Sequence, residues 1–402
     1  MTERGIVVPL LKEEARLKRK VRAHFKHLGF LKAADGTLVP PSLDKQGYRN
    51  MHAHQRQANL DKRRKWINDK AKQLIQHFAS GNELTVERIR PRLEIIQGGT
   101  WQSDLFRFAS HYWSVPISEG YGRRMRFLVW DEHHEKLIGI FALGDAVFNL
   151  RARDKHIGWD HYRRAEALVN LMDAYALGAL PPYNFLLGGK LVASLIRTQE
   201  VVNAFQAKYH NSVGVISGKS KHAQLVAVTT SSALGRSSQY NRLRLDGQSI
   251  FESIGTTSGW GHFHISDDLF GELRLYLKSI GDTYADAHQY GQGPNYRLRL
   301  IRKALSLLGL DPDMARHGLT REVFFCPLAN NTLQFLRGEH KRVRYDQLPT
   351  IEETGAAALA RWVVPRAKRK PEFQLWESES LLRAFDTTPG STSTTTQIAK
   401  IG

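Results

Sequence analysis

The chain has 402 residues and carries 58 Lys plus Arg against 39 Asp plus Glu, a net charge of +19. Its hydrophobic fraction of 42% allows a sizeable core, and its length allows two or three domains. Its one cysteine, Cys326, excludes an intramolecular disulfide and any multi-cysteine zinc site, and no apolar run reaches the roughly 18 residues of a membrane span.

The basic excess is self-repulsive unless a polyanion is bound. Nucleic acid is the expected partner, because phosphate contacts release condensed counterions; an anionic membrane surface is the weaker alternative. The N-terminus lacks the long apolar core and small-residue cleavage site of a signal peptide, so a cytoplasmic protein is expected.

In chain order, "LLKEEARLKRKVRAHFKHLGF" places Leu11, Ala15, Leu17, Val21, Phe25 and Leu28 near one helical stripe, with Lys12, Arg16, Lys18, Arg19, Lys20 and Arg22 on the other faces. The segment 35–42 is a turn-rich break. A second helix is expected over about 44–80, carrying Lys62, Arg63, Arg64 and Trp66, which suits a nucleic-acid-facing arm or a solvated face. Arg123–Asp131 and Lys136–Leu143 read as a β-hairpin. "RRAEALVNLMDAYALGAL" reads as an amphipathic helix and "YNFLLGG" as a short strand. "KLVASLIRTQEVVNAFQAKYH" returns to helix and "AQLVAVTTS" to strand. "DDLFGELRLYLKSIG" and "RLRLIRKALSLLGLD" are helices, and "REVFFCPL" is a further strand. Residues 330–370 read as irregular and basic, and the low-complexity tail as disordered.

The fold class expected is α/β in the mixed α+β sense. Residues 1–100 form a basic helical nucleic-acid-binding region, 101–330 a mixed-sheet core carrying the active site, 331–385 a basic extension and 386–402 a disordered tail.

Four motifs carry candidate chemistry. "LLGGKLVAS" sets Gly188, Gly189 and Lys190 between an expected strand and a helix. Such a turn admits an anion at the helix start, and it resembles the pyrophosphate-gripping turn of the acetyltransferase fold; tight helix–sheet packing explains the glycines equally well. "NLRARDKHIGWD" groups Arg151, Arg153, Asp154, Lys155, His156, Trp159 and Asp160; Asp154 or Asp160 would hold a metal or orient an arginine, or the segment is a surface turn with an aromatic plug. In "GWGHFHIS", His262 and His264 would share one face of a strand and supply two ligands of a metal site. That pattern also resembles the HUH single-strand endonucleases, in which a metal polarises a phosphate and a tyrosine attacks it. "GRSSQYNRL" offers Arg236 and Arg242 for phosphate and Tyr240, with Ser237 or Ser238 in reserve, as nucleophile. Its bland alternative is a hydroxyl-rich loop satisfied by its own backbone.

Taken together, "GRRMRFLVWD", "RARDKHIGWD", "LPPYNFLLGGKLVA", "TTSSALGRSSQYNRL" and "GTTSGWGHFH" resemble the DruA family of the Druantia anti-phage defence system, over roughly residues 10–310. The resemblance implies a bacterial cytosolic protein tied to phage defence or to mobile DNA, with a transposase-like role outside full defence loci. It assigns no residue.

The leading expectation is therefore a DNA-binding protein that cleaves or transfers a strand. Arg236, Arg242, Lys190, Arg153, Arg123, Arg124, Lys62, Arg63 and Arg64 would hold nucleic acid. Tyr240 would attack, with Ser238 behind it and Tyr284, Tyr290 and Tyr296 as further choices. His262 and His264, with Asp154, would bind Mg²⁺ or Mn²⁺. The partners expected are DNA, other defence-system subunits and a second copy of the chain, with no membrane. The alternatives are a non-catalytic nucleic-acid-binding subunit and an acyltransferase-like domain.

Overall fold

The computed structural model describes residues 4–32, 38–39, 44–117, 122–213, 220–284, 296–346 and 348–385, and statements of absence below refer to these alone. The expected disordered tail and Tyr290 lie outside them. The chain divides into two compact units that interleave in sequence. One comprises residues 1–59, 233–235 and 257–321; the other comprises 60–232, 236–256 and 322–402. This differs from a division at residues 100 and 330, because the two helices within 257–321 belong with the first helix and not with the sheet.

In the first unit, the helix Arg4–His27 buries Leu17, Val21 and Phe25, spaced four apart on one stripe. They share a core with Leu269, Leu273 and Leu277 of the helix Asp267–Ser279 and with Leu300, Ile301 and Ala304 of the helix Tyr296–Leu307. Ser266 caps the second of these, its hydroxyl accepting from the Leu269 N–H at 3.3 Å, and Asp267 and Asp268 follow in the first turn. Glu272 takes ion pairs from Arg16, at 3.0 Å, and Lys20 of the first helix. The long helix Lys45–Leu74 begins in this unit and continues into the other.

The second unit is built on a seven-stranded mixed sheet. Its strands are β1 (Pro91–Ile95), β2 (Arg124–Asp131), β3 (Lys136–Asp145), β4 (Leu171–Ala179), β5 (Ala227–Ser231), β6 (Glu252–Thr256) and β7 (Glu322–Pro327). They lie in the order β6-β7-β5-β4-β3-β2-β1. The β4–β5 pair is parallel and every other pair antiparallel. β2 and β3 form the expected hairpin, and β5 and β7 are the expected strands. The helices Gly188–Ser194 and Gln199–Tyr209 make the crossover between the parallel strands.

Three segments differ from the sequence reading. "LMDAYALGA" is β4, a central strand; only His161–Ala167 and a short 3₁₀ turn are helical before it. Ala and Leu favour helix, but β4 is paired on both sides and buries alternate residues, and that pairing outweighs propensity. "YNFL" is a 3₁₀ turn instead of a strand. Residues 330–370 are largely helical, with helices Thr332–Arg337 and Ile351–Ala358 and a π-turn Leu359–Val363 leading into Val364–Arg369. Thr350 and Glu353 form a capping box that starts the second of these. No helix is long and apolar enough to cross a membrane.

Candidate nucleic-acid interface

The loop after β5 answers what its polar residues are for. Ser237 caps the four-residue helix Ser238–Asn241. The Glu322 carboxylate, at the start of β7, accepts from the Ser237 N–H at 3.1 Å, the Asn241 amide at 2.9 and 3.0 Å and the Ser253 hydroxyl at 3.1 Å. Burial works to raise the Glu322 pKa, but these hydrogen bonds outweigh it and hold the group below its ordinary value. Glu322 is thus the anchor of the loop, and it was not singled out in the sequence because its partners are 69 to 85 residues away.

The same loop turns Tyr240 inward. Its ring packs 5.2 Å from Phe251 and 5.0 Å from Phe324, it is buried, and burial lifts its hydroxyl well above the ordinary tyrosine pKa. The nucleophile expected at Tyr240 is therefore a core residue, neither accessible nor activated in this structure. Ser238 is exposed and its hydroxyl meets no base among the described residues. The cations of the loop face the other way: Arg236, Arg242 and Arg244 are all exposed.

Three cations from three elements meet beside this loop. Lys190, on the helix Gly188–Ser194, lies with its Nζ 3.5 Å from the Arg242 carbonyl oxygen and 5.3 Å from the centre of the Trp362 ring. Burial lowers the Lys190 pKa, and the charges of Arg242 and Arg361 lower it further. No carboxylate pairs with Lys190, Arg242 or Arg361 among the described residues. Gly188 and Gly189 do not open an anion cradle: a Cβ would stand 2.5 Å from the Tyr183 carbonyl oxygen at Gly188 and 2.8 Å from the Gln239 amide at Gly189. The glycines serve close packing, but against the 3₁₀ turn Tyr183–Leu186 and the helix Ser238–Asn241, where helix–sheet packing was the alternative expected.

A polar row crosses one face of the sheet. Register aligns Arg124 on β2, Gly144 on β3, Asp173 on β4, Thr229 on β5, Phe325 on β7 and Glu252 on β6. Arg124 lies 4.0 Å over the Tyr175 ring, where Gly144 leaves room for both side chains. Asp173 is partly exposed as a residue, but its carboxyl group is enclosed by protein. Burial raises its pKa to about 6 against the opposing Thr229 hydroxyl, which donates to it at 2.8 Å, and the charges of Arg153 and Arg124. Asp173 escaped the sequence reading because "MDAYA" was read as helix.

The helix Arg151–Ile157 packs over this row, with the His156 ring 5.0 Å from Phe325. Arg153 was expected to touch nucleic acid, yet it is fully buried. It donates to the carbonyl oxygens of Val147, at 2.5 Å, and Phe148, at 3.0 Å, and to Asp154. Asp154 takes Arg153 on one oxygen at 2.6 Å and Arg164 on the other at 2.9 Å, so it orients arginines, one of the two roles weighed for it. Asp160 is a helix cap, its carboxylate accepting from the Arg163 N–H at 2.7 Å. Arg123 is likewise committed inward, to Asp145 at 2.6 Å and the Val169 carbonyl at 2.8 Å. Lys62 is exposed on the long helix, Arg63 half-buried, and Arg64 pairs with Asp61 at 3.0 Å.

The histidine motif lies in the first unit and is not a strand. Residues 262–265 form a turn closed by the Ile265 N–H donating to the His262 carbonyl at 3.0 Å, so alternation does not place the two imidazoles on one face. His264 is buried, and its ring meets Phe25, Phe30 and His317 at 5.7, 6.1 and 5.7 Å between centres. Neither ring nitrogen makes a well-formed hydrogen bond, although the Met314 backbone acts on the ring. His24 donates from Nε2 to the His264 carbonyl at 2.7 Å. His52 accepts from Arg321 at 2.8 Å, which leaves its Nδ1 to donate to Gln55 at 3.1 Å, and its ring stacks on Phe263 at 4.1 Å. His317 accepts from the Leu319 N–H at 3.0 Å. Burial pushes these imidazoles down, His52 and His262 to about 4 and His264 and His317 to about 3. Among the described residues no three His, Cys, Asp or Glu side chains are grouped to hold a metal. Tyr284 and Tyr296 are half-buried against this unit's core.

Comparison with known proteins adds the family. The family described as "Druantia protein DruA" matches residues 42–338. A curated protein called "Druantia protein DruA", from Escherichia coli (strain UMEA 4076-1), is 50% identical over 377 residues, covering 94% of this chain and 93% of its own. No solved structure matches. With three-quarters of its length matched by the family and half its residues shared with that relative, the chain belongs to the DruA family of Druantia proteins.

Proposed function

We propose that this protein is a nucleic-acid-binding component of a Druantia anti-phage system, acting beside other subunits of that system. The observation that carries the reading is the meeting of Lys190, Arg242 and Arg361 with no carboxylate among them. Like charges gathered at a surface are unfavourable until a polyanion covers them. Exposed Arg236 and Arg244 extend the patch along the loop. The test is the salt dependence of binding to labelled single- and double-stranded DNA. Lys190→Gln, Arg242→Gln and Arg361→Gln together should flatten the slope of log affinity against log salt by about 2 to 3, close to one unit per phosphate contact. An unchanged slope refutes the assignment.

Strand cleavage is the second reading, and Asp173 favours it. Its carboxyl group, with a pKa raised by burial and hydrogen-bonded to Thr229, is enclosed by protein in this structure, so it would take a proton from a substrate only once that face of the sheet opens. Nicking assayed with Mg²⁺, with Mn²⁺ and with chelator decides it: a divalent-dependent nick lost in Asp173→Asn supports cleavage, and its persistence in that variant removes Asp173 from the chemistry.

A further inference from the structure

A cavity of about 210 Å³ lies in the second unit. Its walls include Ser194 and Arg197, the hairpin residues Leu245 and Gln248, and Thr354 and Ala357 of the helix Ile351–Ala358. The hairpin is tight: Arg244–Leu245 pairs with Gln248–Ser249 across Asp246 and Gly247, both at positive φ, which is the geometry of a two-residue turn. Thr354 is 3% exposed, and its hydroxyl has no hydrogen-bond partner among the described residues. Arg197 also lines the cavity and donates from Nε to the Pro327 carbonyl at 3.3 Å. A buried hydroxyl without a partner is costly, and one lining a cavity is satisfied when something polar enters.

The cavity adjoins the three cations element by element. Lys190 and Ser194 stand four apart on one helix, so they share a face. Arg361 follows Ala357 by four residues along the C-terminal helical run, and Arg242 precedes the hairpin by two. The charges divide between the two places. Asp246 and Glu353 are on the cavity wall, whereas the unpaired cations lie outside it. A phosphate would be repelled from the cavity and attracted to its surroundings. The wall offers apolar side chains in Leu245, Ile250 and Ala357 and hydrogen-bonding groups in Thr354, Gln248 and Arg197, a combination that suits an uncharged ring with hydrogen-bonding edges. The volume is about seven waters' worth and below that of a drug-sized site, which suits one ring system.

We infer that this cavity receives a single nucleobase drawn out of a strand whose phosphates lie on Lys190, Arg242 and Arg361. The inference rests on the nucleic-acid reading above and deepens it: the protein grips a strand at an unstacked base.

The experiment uses the full chain and short single-stranded oligonucleotides carrying 2-aminopurine or, in its place, an abasic site. Binding should raise 2-aminopurine fluorescence. Ala357→Phe, which fills the cavity without changing charge, should abolish the rise and weaken binding of the intact strand about tenfold. Thr354→Val, which removes only the hydroxyl, should cost about fivefold on the intact strand and nothing on the abasic one. It decides the matter if the phenylalanine variant does not fold. Lys190→Gln should weaken both strands alike. If both cavity variants bind the intact strand as tightly as the unaltered protein, with the same salt slope and fluorescence, the base site is refuted and the nucleic-acid reading stands. If the unaltered protein binds neither strand, both readings fall.

Discussion

Lowering the pH from 7.5 to 5 should open the first unit before the sheet. His52, His264 and His317 are 3 to 5% exposed and neutral in the folded protein. Their pKa values are held at about 4, 3 and 3 by burial, against 6.5 for the free side chain. Unfolded chain therefore binds protons that folded chain refuses. Stability from these groups is fully present above about 6.5 and is lost as the pH falls toward 4 and 3. Each contributes a slope of about 1.4 kcal/mol per pH unit, so the three together cost about 6 kcal/mol by pH 5. A domain stable by about 5–15 kcal/mol loses much of its margin in that step. Hydrogen exchange read by mass spectrometry, corrected for the intrinsic effect of pH, separates the units. Peptides from Asp267–Ser279 and Tyr296–Leu307 should lose protection between pH 6.5 and 5, while peptides from β2 and β3 keep theirs. His264→Leu should remove about one quarter of the slope, because His262, held at about 4, titrates in the same window as the other three. Equal protection of both regions at pH 5 and 7.5, or an unchanged slope in that variant, refutes the reasoning.

Other consequences follow from residues whose roles changed between sequence and structure. Tyr240→Phe should leave nucleic-acid affinity within twofold and cost about 1 kcal/mol in denaturant unfolding; loss of a protein–DNA adduct in this variant would return Tyr240 to the chemistry. Arg153→Met should cost about 3–5 kcal/mol, since Asp154 and two buried carbonyls lose their partner; a thermal midpoint shifted by less than a degree or two refutes it. Asp173→Asn should stabilise the protein by up to about 3 kcal/mol at pH 8 and by nothing at pH 3, below both the unfolded value of 3.8 and the folded value of about 6, because a carboxyl with a raised pKa disfavours the fold only when ionised. A gain independent of pH would mean that Asp173 is not enclosed as described. Gly188→Ala should lower the melting temperature by several degrees through its 2.5 Å approach to the Tyr183 carbonyl, while leaving the slope of binding against salt intact in the folded fraction.

What was legible in the sequence followed from local pattern. The Arg123–Asp131 hairpin strand, the strand at Ala227 and the helices at Asp267 and Tyr296 announce themselves by period and caps, and all are present. The misread segments depend on distant partners. "MDAYALGA" is made a strand by β3 and β5, which no window of its own residues contains. "HFH" has a strand's spacing, but Gly259 and Gly261 beside it let the chain turn; a Cβ at either would stand 3.0 Å from Gly318 or His317. Arg153 looked like a phosphate ligand because charge reads as surface; its partners are carbonyls five and six residues back that only a folded loop presents. Glu322 and Asp173 carried no signal because their settings are made by strand pairing alone.

The interleaving of the two units sets an order of events during synthesis. The first helix needs residues 267–307 to cover Leu17, Val21 and Phe25. At about 5–20 residues per second a ribosome takes on the order of 15 to 60 s to make the intervening chain. Throughout that time only Phe30, Tyr48 and Met51 of the same core are available to the helix's apolar stripe, while strands β1 to β5 emerge and can pair. The core of the first unit is therefore completed only as its last part emerges, shortly before β7 takes its place between β5 and β6.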